Sequence, residues 1–556
     1  MPNDQRLVAT GGDPARAGLT TNLWWKHGII YQIYPRSFQD SNGDGIGDLQ
    51  GVIDRLDYLN DGTPESLGID AIWFSPTFPS PMADFGYDVS DYVGVHPDFG
   101  DMAVMDKLIA EAHKRGIRII LDFVPNHSSN QHPWFIESRS SRDNSKRDWY
   151  IWRDPGPAGE PPNNWIAVFG GSAWEWDQKT QQYYLHLFLK EQPDLNWRSP
   201  QVEQAMHDVL RFWMERGVDG FRIDVMDRIV KDPELRDNPP QPDRRWAQMA
   251  GQMALQRHTQ DQDWPDIIDY VRRVRTVVDE FPERMTVGEV FGTPSNIVRY
   301  YGGEKLDGLH LGFNFPLVRL YTNRWTAERV RRYVDEFEEA LPPGGWPNWV
   351  LGNHDVDRVA TRLGGGELGQ ARARMAALML LTLRGTPFVY YGEELGMENV
   401  HVPDDQLQDP ARLYGPGRDP ERTPMPWTRN GGFTSGTPWL PYGDLSLNVQ
   451  DSEHDEMSML SLYKRLIRFR RGSGALLHGA YAPVDRTPPG TFVYTRTHND
   501  DRLLVALNFT EDEIAVTLPA TLHPTELIAT THADPPSAGQ TIPLLPNEGR
   551  LYRLTP

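Results

Sequence analysis

The sequence predicts an α/β protein, a (β/α)8 barrel with an inserted subdomain after its third strand and a C-terminal antiparallel β domain. Three observations predict it. Short apolar runs alternate with helical patterns for most of the chain, the pattern of parallel strands joined by crossover helices. The strand candidates number eight, enough to close the barrel. The alternation gives way to β-like segments alone near the C-terminus.

Taken in order, the strand candidates are IIYQIYP from Ile29, DAIWFSP from Asp70, IRIILDFVP from Ile117, VDGFRIDV from Val218, RMTVGEV from Arg284, LDGLHLGF from Leu306, NWVLGNHD from Asn348 and TPFVYYGEE from Thr386. Between them lie MDKLIAEAHKRG, VEQAMHDVLRFWMERG and YVRRVRTVVDEF, whose apolar residues recur at helical spacing. The run Met375–Leu383, bracketed by Arg374 and Arg384, is too short for the ~18 residues of a membrane span and reads as a helix buried against a sheet. Residues 1–22 are polar and rich in Gly, Pro and Thr, a loose tail without the apolar stretch of a secretory signal. The barrel is assigned to 23–125 and 198–473. Residues 126–197 are too long for a plain loop and form the inserted domain. From Gly474 to 556 the strands TFVYTRTH and RLLVALNFT belong to a β-sandwich with no further helices expected. The stretch 401–442, crowded with Pro, Gly and Asp, is expected to be a lid or rim.

Composition narrows the function. Acidic residues outnumber basic ones by 77 to 56, a formal charge of −21, so a nucleic-acid partner is disfavoured. Cysteine is absent, which excludes disulfides, thiolate metal sites and a cysteine nucleophile and fits a reducing compartment. With no apolar run long enough for a membrane span and no secretory signal, a cytoplasmic protein with no membrane partner is expected.

In a barrel, chemistry collects where strands end, on the face built by the βα loops. Asp122, Asn126 and His127 close the third strand, Arg222 and Asp224 the fourth, Glu289 the fifth, and His354 and Asp355 the seventh. A single acid there is usually a cap or turn residue. Several converging acids suit glycosidic cleavage, which needs one carboxylate at the sugar cation and one carboxylic acid at the leaving oxygen. Arg222, two residues before Asp224, shares its strand face and can keep that carboxylate ionised; a structural ion pair fits the spacing equally well. His127 and His354 offer donors to sugar hydroxyls, or simply bond local backbone. A separate run, DSNGDGIGDL, repeats oxygen side chains at Asp40, Asn42, Asp44 and Asp48 with glycines between. A hard cation such as Ca2+ takes such ligands, as does a plain turn, and the closing Glu of an EF-hand is missing.

The motifs DFVPNH (122–127), QPDLN (192–196), GFRIDV (220–225), GEV (288–290) and NHD (353–355), with GYDVSDY (86–92) and RTPMPW (422–427), stand in the order of the α-amylase family of glycoside hydrolases. Within that family the chain resembles the α-glucosidases and oligo-1,6-glucosidases from Trp25 onward. The resemblance implies a retaining double displacement on short α-1,4 or α-1,6 glucosides, with possible transglucosylation. Asp224 would be the nucleophile, Glu289 the acid and base, and Asp355 the grip on sugar hydroxyls beside His127 and His354. It implies that Tyr87, Asp88 and Arg418 hold the terminal glucose, an Asp88–Arg418 pair walling off the pocket, with Arg422 the lesser choice; the alternative for Asp88 is a turn cap. It also implies a structural Ca2+ (or Mg2+) in the first loop, the Ile46 carbonyl completing the set. Val225 resembles the branch that accepts α-1,6 bonds. Trehalose synthase or a sucrose-acting enzyme is the alternative within the family, although nothing like the RLDRD motif of sucrose isomerases follows the fifth strand. A catalytically inactive scaffold is the alternative outside it.

Overall fold

The computed structural model describes residues 23–243, 251–409, 412, 417–537 and 539–555; the tail assigned to 1–22 lies outside them. Eight parallel strands form the central sheet: β1 (Ile30–Ile33), β2 (Ala71–Phe74), β3 (Arg118–Phe123), β7 (Gly220–Ile223), β8 (Met285–Gly288), β9 (Leu311–Gly312), β10 (Asn348–Val350) and β11 (Thr386–Tyr390). Their order is β10-β11-β1-β2-β3-β7-β8-β9. The two ends of that order meet through Asn348, whose Nδ2 donates to the Gly312 carbonyl (2.5 Å) while its Oδ1 accepts from the Asn314 N–H (3.4 Å). One side chain thus joins the last pair of strands and closes the barrel.

Because successive strand residues face opposite sides, the apolar runs divide into two cores. Ile30, Ala71, Trp73, Ile120, Met285, Val287, Leu311, Val350 and Phe388 fill the lumen. Their neighbours Tyr31, Ile33, Ile72, Phe74, Ile119, Leu121, Phe221 and Ile223 pack outward under the helices. Gly220 faces inward, where a Cβ would come within 2.8 Å of Met285 Cγ; its missing side chain is the space that methionine occupies. Continuing the inward series by twos puts Asp122 after Ile120, Arg222 and Asp224 after Gly220, and Glu289 after Val287. The lumen is apolar below and charged at the C-terminal rim for this geometric reason.

The outer ring includes α1 (Met102–Lys114), α2 (Pro200–Glu215), α3 (Ile267–Val278), α4 (Ala327–Ala340) and α5 (Gly366–Thr382). In α2 the buried residues Val202, Met206, Val209, Leu210, Trp213 and Met214 recur at three and four, one apolar stripe in which each fully buried large side chain is worth about 1.5–3 kcal/mol. Helix α5 contains the Met375–Leu383 run through Thr382 and is buried on nearly every face from Ala373 onward.

After β3 the chain leaves the barrel and builds β4 (Trp152–Arg153), β5 (Trp174–Asp177) and β6 (Gln182–Leu185), an antiparallel sheet ordered β4-β6-β5. It returns beside its exit: Leu195 N donates to the Asn126 carbonyl (2.9 Å), and His127 and Asp194 form an isolated bridge. That closure lays Gln192 over His127.

Strands β12 (Ala480–Pro483), β13 (Thr491–His498), β14 (Asp501–Asn508), β16 (Pro524–Thr530) and β18 (Gly549–Leu554) form a five-stranded antiparallel sheet facing a two-stranded one of β15 (Ile514–Thr517) and β17 (Thr541–Leu544). Here the structure corrects one expectation. Gly474–His478 is a short helix preceding the first of these strands. Its cap explains it: Ser473 Oγ accepts from Leu476 N, and Asp501 accepts from both Ser473 Oγ (2.7 Å) and Ala475 N (2.9 Å). The five-residue turn is too short to show helical periodicity in sequence.

Candidate active site

The four inward residues at the rim meet around one guanidinium. Arg222 Nη1 donates to Asp122 Oδ1 (2.7 Å) and Asp224 Oδ1 (2.7 Å), and its Nη2 donates to Glu289 Oε2 (2.6 Å). Arg222 and Asp122 are fully buried, whereas Asp224 and Glu289 keep about a tenth of their side chains open, at 8 % and 9 %. One cation against three acids leaves excess negative charge. Burial pushes the Asp224 carboxyl up; Arg222 opposes this, and the like charges of Glu289 and Asp122 reinforce it. Burial likewise raises Asp122 to about 6 against the pull of Arg222. Arg222 is thus the cation that opposes both desolvation and like-charge repulsion at Asp224 and Asp122.

Immediately after Asp224 the backbone turns sharply. Val225 has φ 35° and ψ 48°, a left-handed conformation costly for a β-branched side chain, and its N–H points to Glu289 Oε2 (3.3 Å). This turn aligns the ends of β7 and β8, with the Met226 N–H also bonded to the Glu289 carbonyl (3.0 Å).

The opposite wall comes from the loop after β10. His354 is fully buried, its Nδ1 2.7 Å from Gln32 Nε2 and its Nε2 2.6 Å from the Tyr87 hydroxyl, with Tyr87 stacked parallel to it. Burial lowers its pKa to about 3, so the ring is neutral. Asp355 stands beside it with a third of its side chain exposed to the pocket. Asp355 Oδ1 accepts from Arg418 Nη1 and Arg422 Nη2, both at 3.0 Å. His354, Arg418, Arg422 and Arg222 together overcome its desolvation and hold it below the usual carboxylate range. His127, lowered by burial to about 3, faces Gln192 Nε2 at 3.0 Å, and that amide also donates to Asp84 Oδ2 (3.1 Å).

Arg418 does not pair with Asp88. Its Nη2 donates to Asp84 Oδ1 (2.7 Å) and Asp409 Oδ1 (2.8 Å), and Asp409 also accepts from the Arg418 Nε and backbone N–H. Asp88 is turned into the loop, accepting from Ser80 Oγ (2.8 Å), Ala83 N (3.0 Å) and Asp84 N (2.9 Å). It shapes the turn that presents Asp84, the role of the turn-cap alternative. Asp84, Gln192 and Asp409 were not among the expected site residues. Asp84 stands three residues before Tyr87, just ahead of the GYDVSDY motif (86–92), so a signal for it existed nearby. Asp409 sits in an irregular stretch, part of which (410–411 and 413–416) lies outside the described residues, and nothing local in sequence marks it. The lid segment is a rim: it delivers Asp409, Arg418 and Arg422, and Thr434 Oγ1 bonds Asp40 Oδ2 (2.5 Å).

In the first loop Asp40 accepts from the N–H groups of Asn42 (2.9 Å), Gly43 (2.7 Å) and Gly45 (2.8 Å), Asn42 accepts from Asp44 N (2.8 Å), and Asp44 accepts from Ile46 N (2.8 Å). Asp48 caps the helix Leu49–Asp54 through Gly51 N (2.7 Å) and accepts from Ser41. The donors are hard oxygens suited to Ca2+ or Mg2+. Among the described residues, however, no three acidic or histidine side chains are gathered as a metal-ligand group. The loop is held by its own hydrogen bonds and by the rim, through Thr434, Phe433 and Trp439.

The family model for the α-amylase catalytic domain matches residues 32–479, and the chain belongs to the α-amylase family of glycoside hydrolases. It is 45 % identical over 513 residues to a probable α-glucosidase of Rhizobium meliloti (strain 1021), covering 89 % of this chain and 91 % of that protein. It is 38 % identical over 571 residues to an oligo-1,6-glucosidase of Parageobacillus thermoglucosidasius, covering 96 % and 99 %. The crystal structure of an α-glucosyl transfer enzyme superposes with a TM-score of 0.89 at 39 % identity, covering 96 % of this chain and all of that one. No helix among the described residues is long and apolar enough to cross a membrane.

Proposed function

We propose that this chain is a retaining, exo-acting α-glucosidase that releases single glucose units from short α-1,4 or α-1,6 glucosides in the cytoplasm. The observation that carries the reading is the pairing of an open end with a shut one. Asp224 and Glu289 share Arg222 on one side of the pocket, and the Asp84–Arg418–Asp409 ion cluster seals the other. A pocket sealed behind its first sugar admits a chain end and excludes an internal unit. The named activities of the relatives point the same way.

The terminal glucose would sit with its hydroxyls against Asp355, His354, His127 and Arg418. The Asp224 carboxylate attacks C1, Glu289 protonates the glycosidic oxygen as the C1–O bond breaks, and a β-glucosyl ester forms on Asp224. Glu289, now ionised, takes a proton from water, which attacks C1 and releases α-glucose. The two carboxyls share one guanidinium, a compact arrangement suited to the ~5–5.5 Å separation used by retaining enzymes. A sugar hydroxyl in place of water gives transglucosylation from the same intermediate, and the likeness to an α-glucosyl transfer enzyme favours this as a second outcome. Asp40, Asn42, Asp44, Asp48 and the Ile46 carbonyl would hold a structural Ca2+ or Mg2+, which would brace the loop and take no part in the reaction.

Glucose release from maltose, isomaltose, sucrose and trehalose, with Asp224→Asn as control, tests the proposal. α-Glucose appearing first from maltose or isomaltose supports it. Maltose converted to trehalose moves the assignment to a synthase, and no turnover makes the chain a scaffold.

A further inference from the structure

An exposed aromatic ring stands apart from the rest of the surface. Tyr321 is the one aromatic among the exposed large hydrophobic side chains of the described residues, with 47 % of its surface open. It is nevertheless held. Its hydroxyl donates to Asp357 Oδ2 (2.8 Å), and Asp357 Oδ1 accepts from Asn399 Nδ2 (2.7 Å), so a hydrogen-bonded chain ties the ring to the loop after β11. An exposed tyrosine with its polar end anchored and its face left bare is how a protein presents a stacking surface.

The segment bearing Tyr321 also runs between the two halves of the catalytic rim. Two residues earlier, Arg319 lies 5.5 Å from the ring of Phe291, and Phe291 is two residues past Glu289. At its other end, Asp357 is two residues past Asp355. The segment thus reaches from the neighbourhood of Glu289 to that of Asp355 at the C-terminal rim of the barrel.

We infer that Tyr321 is the platform on which the second sugar stacks, the leaving group in hydrolysis and the acceptor in transfer, with Asp357 fixing its orientation. The inference rests on the α-glucosidase reading and adds the residue that recognises the non-cleaved sugar. The ring touches no reacting atom, so it acts on binding of the second sugar and leaves the chemistry at C1 alone.

The test compares isomaltose and maltose, whose leaving group is a sugar, with α-glucosyl fluoride, whose leaving group has no ring to stack. Tyr321→Ala is expected to raise KM for the disaccharides about five- to tenfold, the scale of one aromatic contact. Hydrolysis of α-glucosyl fluoride should stay within about twofold of the parent by the same argument, since no stacking partner is lost. Tyr321→Phe, which keeps the ring, should retain most of the disaccharide affinity and serves as the folding-neutral companion. An equal loss on fluoride and disaccharide, or no change on either, overturns the inference while leaving the glucosidase reading intact. A parent inactive on fluoride and disaccharides alike removes that reading, and the inference with it.

Discussion

Arg418 spans the pocket from Asp355, 3.0 Å from one terminal nitrogen, to Asp84, 2.7 Å from the other. The guanidinium is 16 % exposed and Asp84 only 5 %, so the pair is screened from solvent on its outer side. One residue therefore both holds Asp355 and ties it to Asp84 across the rim. Removing Arg418 would leave Asp84 and Asp409 buried without their shared cation, which costs about 3–5 kcal/mol, whereas removing Asp84 leaves Arg418 paired with Asp409 and Asp355.

Asp84→Asn and Asp88→Asn separate two roles that sequence spacing confuses. Asp84→Asn removes one of the three carboxylate partners of Arg418 and is expected to lower kcat/KM on maltose by about tenfold, in line with about 1.5 kcal/mol for one charge-assisted hydrogen bond. Asp88→Asn weakens acceptance from two backbone N–H groups and Ser80, so its main effect is a lower unfolding midpoint. Steady-state kinetics and thermal denaturation on both variants check this, and a larger kinetic loss in Asp88→Asn would reverse the assignment.

Asp224→Asn and Glu289→Gln should each reduce turnover of disaccharides by about 1,000-fold or more while the fold is kept, since nucleophile and proton donor act in the same step. Their responses to a small external nucleophile differ. With an activated α-glucosyl substrate, azide should restore product formation in Glu289→Gln, where the ester still forms and needs no base to be resolved by an anion. Product analysis by chromatography checks it.

His127 is neutral in the folded state down to about pH 3, against 6.5 for an ordinary histidine. Between those values the unfolded chain binds the extra proton, so stability from this group is complete above about pH 6.5 and declines as pH falls toward 3. Buried Asp88, raised to about 6, acts in the opposite sense, losing its contribution as pH rises through 6. His127→Gln therefore should flatten the pH dependence of stability between pH 4 and 6 by about one proton relative to the parent. Chemical denaturation across that range checks the slope; an unchanged slope would mean that His127 is charged when folded.

Calcium or magnesium at 100-fold excess over its Kd should stabilise the parent by about 2.7 kcal/mol, and a chelator should reverse the gain. Asp44→Ala should abolish the response with little change in the metal-free midpoint, because Asp44 accepts only from Ile46 N within the loop. A parent indifferent to both cations would leave DSNGDGIGDL as a self-bonded turn.

Val225→Thr introduces a hydroxyl beside Glu289 at a backbone turn already fixed at φ 35°. The expected result is a severalfold shift of the kcat/KM ratio from isomaltose toward maltose. Measuring both substrates on one preparation decides it.

Periodicity alone determined the barrel and the identity of its rim. Strand residues alternate between two faces, so Ile120, Val287 and Gly220 already imply that Asp122, Glu289 and Asp224 turn inward, and motif order identified the family. Pairing across the chain was decided only by the tertiary structure. Asp88 adjoins Tyr87 and Asp84 stands three residues before it, yet a tight loop sends the Asp84 carboxylate to Arg418 and folds that of Asp88 onto its own backbone. Asp409 reaches Arg418, and Asn348 closes the barrel onto Gly312, through contacts that no local pattern encodes. Local spacing fixes which face a side chain takes; which charge it meets there depends on how distant loops are packed together.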